Sequence, residues 1–147
     1  MKKIFILFVA ASLALVSCKK SEGCTDSKAA NYNPDADSDN GSCTYKGNLV
    51  FWWKQSFSDS CAAYGVTAIN VSVDNSFIGS APVATQYFAG VPECFSSGAL
   101  THTADFGTSK TKRVNVKYEL FSGATSLGSV SEDLLIDGGC DSWELEW

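Results

Sequence analysis

The chain has 147 residues, 45% hydrophobic and 18% charged, with a formal net charge of −5, a profile that suits one small globular domain with short extensions. The acidic balance opposes nucleic acid and anionic membrane surfaces as partners, and removal of a leader carrying Lys2 and Lys3 makes it more negative. The basic cluster of Lys110, Lys112 and Arg113 is too small to reverse this and reads as a solvated turn. Six cysteines without a C-x-x-C pair, beside one histidine, argue against zinc or thioredoxin chemistry and for an oxidising compartment.

Residues 1–17 begin with a basic pair and continue as an apolar run from Ile4 to Val16. That run is shorter than the ~20 residues a helix needs to cross a bilayer, so it reads as a secretory signal peptide. It closes with Leu15-Val16-Ser17-Cys18. This ending resembles the lipobox of bacterial lipoproteins, in which small residues precede a cysteine that is acylated and becomes the new first residue. The resemblance implies lipidation at Cys18, a tether over 18–22, and a mature protein lipid-anchored at the outer membrane or cell surface. The alternative is an ordinary signal peptide cut nearby, which leaves Cys18 as a thiol. Each buried methylene of an acyl chain contributes about 0.8 kcal/mol, so several chains on one cysteine give stable anchoring where one chain is marginal.

The next segment, 23–45, is acidic and rich in Asn and Asp, bracketed by Cys24 and Cys43, and too poor in apolar groups to form a core. A Cys24–Cys43 disulfide is expected, contributing roughly 3 kcal/mol through loop entropy. Thr25 or Asp26 can cap a short helical turn that Asn33-Pro34 ends. Asp35, Asp37 and Asp39 offer alternate carboxylates to a hard cation such as calcium. The EF-hand pattern fails, however, because Asn40 stands where its glycine belongs and no glutamate closes the loop. A solvated acidic spacer is the competing reading. The segment resembles a short Gly-Cys-Thr-Asp to Gly-Ser-Cys-x-Tyr module of secreted and surface proteins in Bacteroidota-type bacteria. Gly23 to Asp26, Asn31, Tyr32, Ala36, Asp39, Gly41 to Cys43 and Tyr45 match it, and Asn40 replaces its usual Asp. The resemblance implies an extracytoplasmic location and no particular activity.

From 46 to 147 the hydrophobic pattern has period two. Strands are expected at Asn48 to Lys54, Val66 to Val73, Ser76 to Pro82, Ala99 to Phe106, Lys112 to Phe121, Leu127 to Asp137 and Ser142 to Trp147, with Asp74-Asn75 as a tight hairpin. No stretch reads as a credible amphipathic helix. About seven short strands with turns roughly every ten residues predict an all-β fold, an antiparallel β-sandwich. The body also resembles small β-sandwich domains, prealbumin-like or immunoglobulin-like, found on Bacteroidota lipoproteins. Phe51-Trp52-Trp53, Val73-Asp74-Asn75, Val91 to Cys94 and Gly138-Gly139-Cys140 carry that likeness. If the strands alternate up and down, Cys61 and Cys94 lie at one end and are expected to pair, while Cys140 at the opposite end is left over; a Greek-key crossover or a misplaced strand would let Cys140 compete for either partner.

Chemistry is sparse. His102 is the single imidazole and sits mid-strand; no nucleophile elbow or metalloprotease motif accompanies it. Glu144 and Glu146, or Glu132 and Asp133, read as solvating groups rather than a glycosidase pair. Trp52 and Trp53 face opposite sides of the sheet, so one of them is a candidate exposed aromatic for a carbohydrate or protein partner. The sequence thus predicts a non-catalytic, anchored binding, adhesion or accessory module of the cell envelope. Alternatives are a structural spacer or subunit of an envelope complex and, more remotely, a small hydrolase.

Overall fold

A computed structural model describes residues 20–146, so Cys18, and with it the lipidation site, and Trp147 lie outside the described residues. Two short strands, β1 (Glu22–Gly23) and β2 (Ser38–Asp39), pair in parallel in the cysteine-bracketed segment. The body follows as β3 (Tyr45–Trp52), α1 (Gln55–Ala63), β4 (Ala68–Val73), β5 (Ser76–Pro82), β6 (Leu100–Gly107), β7 (Lys112–Ser122), β8 (Thr125–Ile136) and β9 (Gly139–Glu144). A three-stranded sheet of order β6-β3-β9 and a four-stranded sheet of order β5-β4-β7-β8 enclose one core. The protein is an all-β sandwich. Body strands pair antiparallel, save that β9 runs parallel to β3.

Alternation in the sequence decides which face is buried. Ile69, Val71 and Val73 of β4 and Val114, Val116, Tyr118 and Leu120 of β7 pack in the same core as Leu49, Phe51 and Trp53. Asp74 and Asn75 adopt φ of 49° and 65°, the left-handed pair that a two-residue hairpin turn needs and that Asp and Asn tolerate. Gly47 answers a different demand. A Cβ there would lie 2.4 Å from Cζ of Phe106 and 3.1 Å from Cα of Gly138, so only glycine lets β3 pass beneath that ring.

Three expectations are overturned. The first concerns α1, which spans a stretch read as having no helix. Its buried face is only Phe57, Ser58 and Cys61, too thin a stripe to register as amphipathic. Tertiary contacts stabilise it. Phe57 packs edge-on to Tyr118 (ring centroids 6.3 Å apart) and tilted to Trp53 (6.5 Å), and the Ser58 hydroxyl donates to the Val83 carbonyl at 2.6 Å.

The second concerns the cysteines. Cys24–Cys43 forms as expected, but Cys94 is bonded to Cys140, and Cys61 is a buried residue of α1 outside both disulfides. Strand counting assumed that the loop holding Cys94 stays at one end of the sandwich. Instead 83–99 doubles back along the three-stranded sheet. Phe88 N–H donates to the Trp53 carbonyl, Phe95 N–H to Thr101 Oγ1, and Cys94 reaches Cys140, which lies beside Asn48 of β3.

The third concerns the tryptophans. Trp52 and Trp53 do point to opposite faces, yet both are buried, at 4% and 1% exposure. Trp53 enters the core, and Trp52, on the other face, has Lys54 5.5 Å above its ring. Neither offers an aromatic platform to a partner.

Gly47→Ala is expected to destabilise the fold by about 1–3 kcal/mol, because the new methyl overpacks a site closed by ring and backbone. Urea unfolding checks this, and a midpoint equal to wild type would mean that Phe106 gives way freely.

Candidate functional site

The cysteine-bracketed segment is not a free spacer. Cys24, Ala29 and Cys43 belong to the same buried cluster as Tyr45 and the sandwich core. Asn31 closes the segment on itself, its Nδ2 donating to the Ser42 carbonyl at 2.7 Å while its Oδ1 accepts from Thr44 N–H at 2.8 Å. Asp26 begins a tight turn, its Oδ1 accepting from Lys28 N–H at 3.0 Å. That turn aims Oδ2 of Asp26 at the body.

There Asp26 accepts from the Tyr45 hydroxyl at 2.8 Å and pairs with Lys110 Nζ at 2.7 Å, and Lys110 lies 5.5 Å over the Tyr45 ring. The Lys110 ammonium, then the Lys28 N–H and the Tyr45 hydroxyl, hold the Asp26 carboxyl well below the usual carboxylate range. The same carboxylate raises the pKa of Lys110 and of the Tyr45 hydroxyl. Beside this lock a cleft of about 540 Å³ opens between segment and sandwich, lined by Lys28, Tyr45, Lys46, Lys110, Asp137, Gly138 and Gly139. Gly138 and Gly139 take φ of +97° and +81°, and a Cβ on Gly139 would meet nothing within 4 Å. The glycine pair therefore turns the chain into β9 and leaves that side of the cleft open.

The residues singled out from sequence fall elsewhere. Asp35, Asp37 and Asp39 are not gathered around a common point. Asp37 accepts from Ser21 N–H, across the segment, and Asp39 from Gly41 N–H, in its own turn. Among the described residues no group of three or more His, Cys, Asp or Glu is placed to hold a metal ion. His102 stands on β6 opposite Leu49, and burial holds its pKa below the ordinary value, against the pull of Asp74. The cleft itself escaped the sequence reading. Asp26 and Lys110 are 84 positions apart, and no spacing rule connects them.

No family model matches the chain, and comparison with curated proteins and with solved structures finds no similar one.

The lock has a pH signature. Because the folded pKa of Asp26 lies below its unfolded value, its contribution is complete above about pH 4 and is lost as pH falls through the folded value. Lys110 has the opposite sense: its contribution is complete below about pH 10 and is lost as pH rises through the raised value. Asp26→Asn is therefore expected to lower the melting temperature at neutral pH, with the gap to wild type narrowing below about pH 4. Thermal melts across pH test this, and a gap that stays constant into acid would show that the carboxylate charge does not hold the junction.

Proposed function

We propose that the chain is a lipid-anchored, extracytoplasmic and non-catalytic binding or accessory module of the cell envelope, tethered through Cys18 at the outer membrane or cell surface. The observation that carries the reading is the pair of disulfides in so small a β-sandwich, since such bonds persist in oxidising compartments and are rare in the cytosol. The lipobox-like Leu15-Val16-Ser17-Cys18 supports the anchor. Among the described residues no helix is long and apolar enough to cross a membrane, so the amino-terminal lipid is the attachment this reading invokes. The junction cleft replaces the tryptophans as the binding surface, because it gathers charged side chains from three separate segments.

A second reading, a subunit of an envelope complex, has β8 on its side. This strand closes one edge of the four-stranded sheet, and Leu127, Val130 and Leu135 are exposed along it. It carries neither lysine nor proline, two of the residues by which edge strands are kept from pairing with other chains.

In envelope fractions, wild type is expected in the membrane pellet and Cys18→Ala in the soluble fraction, with an acyl mass on the amino-terminal peptide of wild type only. Retention of Cys18→Ala in the membrane, or a mature amino terminus without acyl mass, overturns the anchor.

A further inference from the structure

The geometry points to the junction cleft as a site for a small hydroxylated monocarboxylate, of the sugar-acid or hydroxy-acid class. This rests on reading the chain as a binding module and names what the module takes.

The argument is one of charge and shape. Three lysines from distant parts of the chain line one cleft on a protein whose net charge is −5: Lys28 from the bracketed segment, Lys46 from β3, and Lys110 from the turn before β7. Lys110 is neutralised by Asp26 at 2.7 Å. Lys28 and Lys46 make no ion pair among the described residues, and Asp137 is the carboxylate that shares the lining with them. Lys28 and Lys46 are thus the cationic groups a carboxylate can meet, while Asp137 and, next to it, Asp141, whose Oδ2 accepts from Asp137 N–H at 3.2 Å, oppose a second negative charge such as that of a phosphate dianion.

Lysine ammoniums act as point charges without the fork that selects a planar or tetrahedral oxyanion. Selection must come from Asp137, which repels a second negative charge and accepts hydrogen bonds from hydroxyls. The volume, about 540 Å³, lies within the ~300–1,000 Å³ of small-molecule sites. Tyr45 is covered by Lys110, so its ring face offers no stacking surface and recognition falls to polar groups. Because those groups are partly hydrated, affinity is expected near ~1 mM and to weaken with salt.

Ligand-observed saturation-transfer NMR on the detergent-solubilised, full-length lipoprotein tests the assignment, with glucuronate, glucose and inorganic phosphate as probes. Glucuronate is expected to bind, glucose and phosphate at least tenfold more weakly, and the Lys28→Gln, Lys46→Gln double variant to lose at least tenfold in glucuronate affinity at an unchanged melting temperature. Single Lys46→Gln gives an intermediate loss should the double variant fold poorly. No glucuronate binding, equal binding of glucose or phosphate, or full affinity in folded lysine variants overturns the proposal. Such a failure, with Cys18-dependent membrane retention intact, rejects the ligand and leaves the anchored-module reading in place.

Discussion

The constraint on which the structure turns is that β3 is buried on both faces. Leu49, Phe51 and Trp53 point into the core, while Val50 and Trp52, on the opposite face, are 0% and 4% exposed. The strap 83–99 is fastened beside this strand, through Phe88 N–H to the Trp53 carbonyl and through Cys94 to Cys140, the neighbour of Asn48. Its hold is partly covalent: Cys94–Cys140 closes a separation of 46 residues, for which loop entropy gives about 4 kcal/mol.

Several other features follow from that central strand. β6 and β9 flank it, β9 in parallel. Gly47 lets it pass Phe106, and α1 leaves its end to place Phe57 between Trp53 and Tyr118. Ion pairs contribute little to this arrangement. Lys54–Glu144 and Lys117–Glu119 are substantially solvent-exposed, and such pairs contribute about 0–1 kcal/mol each.

At its other end β3 begins with Tyr45, and there the bracketed segment docks. The disulfide Cys24–Cys43 is buried in that seam, with Cys24 1% and Cys43 8% exposed, so it fastens the segment to the body as well as closing its loop. Asp26 completes the seam by taking hydrogen bonds from Tyr45 and Lys110 together. Two lysines without an ion pair, Lys28 and Lys46, are thereby brought to one cleft. It exists only while the segment is docked, because Lys28 and Lys46 come from opposite sides of the seam.

The sequence by itself determined most strands of the body, though the last one lies at Gly139–Glu144 rather than from Ser142 onward and the short β1 and β2 went unread. The alternation in β4 and β7 predicted their buried residues, Asp74-Asn75 predicted the hairpin, and the cysteine spacing of the acidic segment predicted the bond between Cys24 and Cys43. These are local or period-two signals, which a chain carries in short windows. The tertiary structure alone decided the helix, the partner of Cys94, the burial of Trp52 and the cleft. α1 is held by contacts to Tyr118 and Val83 rather than by its own pattern. The path of a long loop is chosen by the surface it covers, so counting strand ends placed Cys94 against the wrong cysteine. The cleft depends on Asp26 and Lys110 meeting across 84 positions, and such a contact is set by how two folded parts dock, which no window of sequence encodes.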